Sequence, residues 1–171
     1  MSVIEESLTA NQTLANDYDP AKPPAPRVAI VTCMDPRLTT ILDLLGLAAD
    51  DADLIRNAGT VIDDDSIRSL VISTRLLGSQ EIMIINHTDC GMQKFTDGGL
   101  ADQLRRETGQ VSIAPARFYS FDDVEENTRE QVQKARSHPW ISPDVPIRGF
   151  IFDVGTGRLR EVATTRSTVA A

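Results

Sequence analysis

Two short motifs bring together side chains that could do chemistry. The first, CMDPR, begins at Cys33, and the second, HTDC, begins at His87 and ends at Cys90. Two thiolates and an imidazole are ligand types that zinc prefers, and three protein ligands leave a fourth position open, as in catalytic zinc sites. We therefore expect Cys33, His87 and Cys90 to bind one Zn²⁺ per chain. They include both cysteines of the sequence.

The carboxylate and the guanidinium of the first motif have several possible roles. Asp35 could accept a hydrogen bond from an attacking hydroxide and orient it, while Arg37 keeps Asp35 ionised and correctly pointed. Asp35 is also the one nearby candidate for a fourth metal ligand. A third possibility is that Asp35 and Arg37 form a buried salt bridge that only ties a strand to the following helix.

The elements that must position these motifs follow from the apolar pattern. The run VAIVT at 28–32 precedes Cys33, and EIMIIN at 81–86 precedes His87. Such runs are typical of strands buried on both faces of a parallel sheet, and the helical spacing over about 64–77 between them favours a βαβ unit. Open α/β sheets place their chemistry at the carboxyl ends of such strands.

The remaining elements complete an α/β pattern. We assign Asp63-Asp64-Asp65 to helix N-capping rather than to metal binding, because aspartate favours that position. Ser120 is the expected N-cap of a long helix that ends before Pro139. The other predicted elements are helices over 2–15 and 38–45, a partly helical polar stretch over 94–109, and strands over 53–57, 147–154 and 158–162, the last antiparallel.

Composition excludes several classes of function. The 171 residues are 41% hydrophobic and 25% charged, with a net charge of −8 and a sequence pI of about 4.7. No basic stripe is present, so we expect neither nucleic-acid binding nor docking on an anionic membrane. The N-terminus lacks the order of a signal peptide, and no apolar run approaches membrane-spanning length, so we expect a cytoplasmic protein.

The motifs CMDPR, IRNAG and HTDCGM, in this order and spacing, resemble those of the β-class carbonic anhydrases. More narrowly they resemble the short branch found in actinobacteria and archaea, and the similarity covers roughly residues 28 to 162. The resemblance implies four parallel strands with a fifth antiparallel strand, flanked by helices, in a homodimer, and it leaves open whether dimers pair into tetramers. It also implies zinc on Cys33, His87 and Cys90, an orienting dyad of Asp35 and Arg37, and a pocket lined by backbone around Asn57, Ala58 and Gly59.

The function that the resemblance implies is the reversible hydration of carbon dioxide to bicarbonate and a proton. Sister enzymes hydrolyse carbonyl sulfide or carbon disulfide with the same ligands, so the motifs leave the substrate open. The plant-type branch also has a substrate-binding glutamine shortly before the first zinc cysteine, and here no glutamine lies between Gln12 and Cys33. A non-catalytic zinc module, or a thiol sensor in which Cys33 and Cys90 form a reversible disulfide, is the alternative from another class.

The chain divides into three parts on its sequence pattern. Residues 1–26 form an N-terminal helix and a proline-rich arm, with four prolines between Asp17 and Pro26. Residues 27–163 are expected to form a single catalytic α/β domain, and 164–171 a disordered tail. The arm is a candidate for contact with a second subunit.

Overall fold

The computed structural model describes residues 2–15, 25–112 and 114–163, in which one sheet has the strand order β2-β1-β3-β4-β5. The first four strands pair in parallel, and β5 is antiparallel to β4. The predicted sheet of four parallel strands and one antiparallel strand is therefore confirmed. The strands are β1 (Val28–Cys33), β2 (Ala52–Asn57), β3 (Glu81–His87), β4 (Ile147–Phe152) and β5 (Leu159–Val162).

Helices connect the strands, as parallel pairing requires. A π-helical turn, Ser73–Leu77, continues the third α-helix, and single 3₁₀ turns follow β1 at Pro36–Leu38 and β3 at Gly91–Gln93. The α-helices of the described residues are α1 (Val3–Leu14), α2 (Ile41–Leu44), α3 (Asp64–Ile72), α4 (Asp97–Thr108) and α5 (Val124–Ser137).

Strand β1 is an interior strand of the sheet, between the edge strand β2 and the central strand β3. Its alternate side chains enter two different cores: Ala29 and Val31 pack into one, and Ile30 into the other. Residues of α3 and α5 complete the first core, and residues of the 38–47 segment complete the second. A strand covered on both faces must be apolar throughout, which explains the uninterrupted run before Cys33.

Local signals placed most helix ends correctly. The carboxylate of Asp63 accepts a hydrogen bond from the backbone N–H of Ser66 and caps α3, as predicted. Gly78 ends the π-helical turn in a left-handed conformation, with φ of 102°, which glycine adopts at little cost. The predicted helix over 38–45 is shorter than expected, because a 3₁₀ turn and α2 share this stretch.

The predicted N-cap of α5 is wrong: Asp123, not Ser120, caps this helix. The carboxylate of Asp123 accepts hydrogen bonds from the backbone N–H groups of Glu125 and Glu126. A carboxylate is the stronger cap because its charge also interacts favourably with the helix dipole. Ser120 is engaged elsewhere, since both its hydroxyl and its backbone N–H donate to Asp97 at the start of α4.

Helix α1 lies where it was predicted, and it buries none of its residues in the chain. Its apolar side chains are exposed, from 61% for Leu8 to 77% for Val3. Most of the predicted arm over 17–26, and all of the predicted tail over 164–171, lie outside the described residues. Among the helices of the described ranges, none is both long and apolar enough to cross a membrane.

Close packing between β4 and α5 depends on Gly149. A Cβ atom at this buried position would lie 2.8 Å from methyl carbons of both Thr128 and Val132. We expect Gly149→Ala to lower the free energy of unfolding by roughly 1–3 kcal/mol, because overpacking must push the helix away from the strand. Urea unfolding followed by circular dichroism measures the change.

The matched control is Gly98→Ala in α4, where a Cβ atom would meet nothing within 4 Å. Alanine favours a helix over glycine by about 1 kcal/mol, so this variant should be as stable as the wild type or more so. Equal stability of the two variants would contradict the packing argument.

Candidate metal centre

The three predicted ligands meet at the carboxyl edge of the sheet. Cys33 is the last residue of β1, His87 the last residue of β3, and a turn over 88–89 leads to Cys90. Their ligand atoms all lie within 4.8 Å of one another, and all three residues are buried. The structure therefore brings together the whole set that the sequence singled out.

The imidazole of His87 is held in the orientation of a metal ligand. Its Nδ1 lies 2.9 Å from the backbone oxygen of Thr88, and a carbonyl oxygen only accepts, so Nδ1 carries the proton. The lone pair is then on Nε2, which is buried and has no hydrogen-bond partner in the described part of the chain. Nε2 lies 3.9 Å from Oδ2 of Asp35. Fixing the tautomer through the other nitrogen is how proteins prepare histidine for a metal.

The two thiols share one negative charge in this geometry. The hydrogen bond from Cys90 lowers the pKa of Cys33 most, burial opposes it, and contacts from His87 and the backbone at Gly59 and Asp35 lower it further. The pKa of Cys90 is raised, because its proton is held by the Cys33 sulfur and because it is buried. Desolvation also opposes the charged form of His87, but contact with the Cys33 thiolate outweighs it and raises the pKa of His87.

The donor set fits a metal ion. Two sulfurs and one imidazole nitrogen match the preference of zinc and similar borderline-soft ions. A buried, unpaired nitrogen and a buried thiolate are each costly when left without a partner. A cation bound among them would satisfy both, so the cluster is one that could hold a metal.

Asp35 and Arg37 form a paired unit beside this cluster. Arg37 donates from Nε to Oδ1 of Asp35 at 2.9 Å and from Nη2 to Oδ2 at 2.8 Å, a bidentate contact. The side-chain hydrogen bonds from Arg37 are the main reason why the pKa of Asp35 lies well below its usual range. Because the Asp35 side chain is 17% exposed and that of Arg37 is 41% exposed, the pair lies at the rim of the site rather than in the core.

The segment Asn57-Ala58-Gly59 begins at the last residue of β2, where Asn57 pairs in register with Cys33. The side chain of Asn57 closes its own turn, donating to the carbonyl of Val61 and accepting from its N–H. The backbone of Gly59 hydrogen-bonds to the Cys33 sulfur. Gly59 has φ of 83°, and a Cβ atom there would lie 3.0 Å from Cγ of Met92, so this approach suits glycine.

Sequence reasoning missed Arg56. Its guanidinium donates to the backbone carbonyl of Cys33 at 3.1 Å and to that of Asp35 at 2.7 Å. It thereby holds the chain on both sides of Met34, between the first thiol and the carboxylate. The available signal was an arginine directly after the apolar pair Leu54-Ile55 in the predicted strand DLIRN, where a charge needs a partner.

A buried amide network behind the cluster was also missed. Asn127 of α5 accepts from Gln131 at 2.9 Å and donates towards Asn86, the residue before His87. Gln131 in turn accepts from the backbone N–H of Ile62 at 2.9 Å. Helix α5 thus supports the end of β3 and the turn after β2 together, and nothing local in the sequence of α5 signals this contact.

Comparison with known proteins agrees with the geometry. A family profile described as carbonic anhydrase matches residues 28–159. Beta-carbonic anhydrase 1 of Mycobacterium tuberculosis is 41% identical over 165 residues, which cover 95% of this chain and 99% of that protein. A carbon disulfide hydrolase of Acidithiobacillus thiooxidans is 38% identical over 152 residues, which cover 78% of this chain and 76% of that protein.

Solved structures show the same relationship. The carbonic anhydrase of Streptococcus mutans has a TM-score of 0.86 and 44% identity, and the match covers 95% of this chain and 99% of that one. The region matched by the profile contains all three motifs, from CMDPR to HTDCGM. This chain therefore belongs to the β-carbonic anhydrase family.

Proposed function

We propose that this protein catalyses the reversible hydration of carbon dioxide to bicarbonate and a proton, with one zinc ion held by Cys33, His87 and Cys90. The observation that carries the proposal is the buried Cys-His-Cys cluster with a carboxylate beside it, 3.9 Å from the ring nitrogen of His87. Membership of the family and the 41% identity to a beta-carbonic anhydrase support the same reaction.

The protein's own residues supply binding and orientation. When bound, zinc acts as a Lewis acid and lowers the pKa of water towards about 7. Asp35 remains ionised because Arg37 donates to both of its oxygens. It can therefore accept a hydrogen bond from the attacking water and point the water oxygen at the substrate carbon. Holding the reacting atoms in this orientation raises the rate of hydration.

The substrate is small, linear and uncharged, so it needs a narrow pocket rather than a charged one. We assign that pocket to the backbone around Asn57, Ala58 and Gly59, next to Cys33. Of these three residues, Gly59 contacts the metal cluster, because its backbone hydrogen-bonds to the Cys33 sulfur.

Carbon disulfide hydrolysis is the second candidate reaction. The observation that favours it is the 38% identity to a carbon disulfide hydrolase, over a smaller share of both chains than the match to the carbonic anhydrase. Carbon disulfide is also linear and electrophilic at carbon, so the same ligands and the same carboxylate could serve either substrate.

Zinc content tests the proposed ligands. We expect one zinc per chain in the wild type, and substoichiometric zinc with lower thermal stability in Cys33→Ser and His87→Ala, because metal binding and folding are coupled. Elemental analysis and native mass spectrometry measure both. The chain has a second histidine, so His138→Ala, at the end of α5, is the matched control and should retain its zinc.

Full zinc in both ligand variants would contradict the assignment. A metal-free wild type with a disulfide between Cys33 and Cys90 would favour the thiol sensor instead.

Stopped-flow hydration of carbon dioxide tests the reaction itself. The wild type should be active, and Asp35→Ala should keep its zinc but lose roughly 10- to 100-fold in rate, as expected for a lost orienting group. Asp43→Asn, which changes an exposed carboxylate of α2, is the control and should match the wild type.

Hydrolysis of carbon disulfide and carbonyl sulfide by the same preparation decides between the substrates. Faster hydrolysis of either gas than hydration of carbon dioxide would overturn the first choice. Loss of zinc in Asp35→Ala would instead make Asp35 a structural ligand.

We further propose that the protein is a homodimer. The support is helix α1, whose apolar side chains Ile4 and Leu8 are 72% and 61% exposed and share one face. A face of this kind is typically covered by a partner.

The cytoplasmic location and the division into arm, domain and tail remain predictions.

Light scattering should report about twice the chain mass of 18.7 kDa at micromolar concentration. The double change Ile4→Glu with Leu8→Glu should shift the protein towards the monomer, because it places charge on the apolar face. Thr13→Glu, an exposed position on the side of α1 away from Ile4 and Leu8, is the control. An active wild-type monomer would contradict the proposal.

A further inference from the structure

Asp89, between the two ligands of the second motif, contacts Arg37 in two ways. Its Oδ2 accepts from Nη1 of Arg37 at 3.0 Å, and its backbone oxygen accepts from Nη2 of Arg37, also at 3.0 Å. Its other oxygen, Oδ1, pairs with Lys94 at 3.0 Å. Arg37 therefore directs its Nε and Nη2 at Asp35, and its Nη1 and Nη2 at Asp89.

The backbone of Asp89 makes this double contact possible. Its φ is 52°, in the left-handed region that few residues other than glycine, asparagine and aspartate adopt readily. The turn presents its carbonyl and its carboxylate to the same guanidinium. Arg37 comes from the segment after β1 and Asp89 from the turn after β3, so their contact joins the chain beyond the two strand ends that carry Cys33 and His87.

The exposure of both side chains argues against a large contribution of this ion pair to the stability of the fold. The side chains of Arg37 and Asp89 are 41% and 58% exposed. Exposed pairs of this kind contribute little to the free energy of folding, because water and salt screen the two charges. By contrast, the two hydrogen bonds from Arg37 to Asp89 strongly restrict the orientation of the planar guanidinium.

We propose that Asp89 is a positioning residue. It holds the guanidinium of Arg37 in the orientation that donates hydrogen bonds to both carboxylate oxygens of Asp35. The proposal rests on the proposed function, because the gain from an oriented Asp35 is a gain in hydration rate. Without the Asp89 carboxylate, Nη1 of Arg37 loses its acceptor and the guanidinium can rotate away. Asp35 then keeps its charge but loses its fixed direction.

Two variants remove or weaken the carboxylate contact without straining the turn. Asp89→Gly keeps the left-handed backbone and its carbonyl but removes the carboxylate, and Asp89→Asn keeps a weaker, neutral acceptor in the same conformation. Asp102→Asn is the matched control, since Asp102 forms a surface ion pair with Arg105 and is 59% exposed, close to the 58% of Asp89.

We expect zinc-loaded Asp89→Gly to hydrate carbon dioxide with kcat lowered about 10-fold, as for other lost supporting contacts. Its KM should stay within about two-fold, because the contact serves the transition state rather than substrate binding. Asp89→Asn should lie between Asp89→Gly and the wild type, and Asp102→Asn should match the wild type. Zinc content and the unfolding temperature should be unchanged in all of them.

A double-mutant cycle separates positioning from a structural role. If Asp89 acts only through Arg37, Asp89→Gly should cost nothing further in an Arg37→Met background. An equal loss in both backgrounds would mean that Asp89 supports the fold by another route, and would overturn the proposal.

A readout independent of activity is the ¹⁵N-edited NMR signal of the Arg37 Nε–H group. Held by Asp35, this proton should give a distinct, slowly exchanging signal in the wild type, and Asp89→Gly should broaden or remove it. An unchanged signal together with wild-type kcat would overturn the proposal. If the wild type lacks hydration activity, the proposed function fails, and the NMR signal still decides whether Asp89 holds Arg37.

Discussion

Two thiols and one imidazole, packed within 4.8 Å of one another and buried, are the constraint on which the rest of the structure depends. Polar groups removed from water are costly unless each has a partner, and two neighbouring thiolates also repel each other. A hydrogen bond from Cys90 lowers the pKa of Cys33, and Nε2 of His87 has no hydrogen-bond partner among the described residues. A dication among them removes both difficulties, so this arrangement favours metal binding chemically as well as geometrically.

Parallel pairing of the strands brings the two thiols and the imidazole close together. Because β1 lies between β2 and β3 and runs in the same direction as both, their carboxyl ends reach one edge of the sheet. Cys33 pairs in register with Asn57, which places the turn through Gly59 beside the first thiol. The apolar bodies of the strands thus form the core while their polar ends form the site.

Hydrogen bonds between the segments after the strands orient the side chains around the cluster. Strand ends place residues to within a few ångströms, but orienting a carboxylate needs contacts from several directions. Arg56 fixes the backbone on both sides of Met34, and Arg37 spans from Asp35 to Asp89. These contacts are charge-assisted and directional, so they set geometry at a site where exposed ion pairs contribute little to stability.

The sequence by itself determined the strands, their parallel direction and the set of candidate ligands, because apolar runs and ligand spacing are local properties that any correct fold must respect. The tertiary structure alone decided which polar side chains meet across loops. The partners of Asp89 and Arg56 lie 52 and 23 residues away in the chain, beyond the reach of periodicity. The N-cap of α5 shows the same limit: Ser120 is a good capping residue by type, but Asp97 engages it from another helix, so a distant contact overrode a local preference.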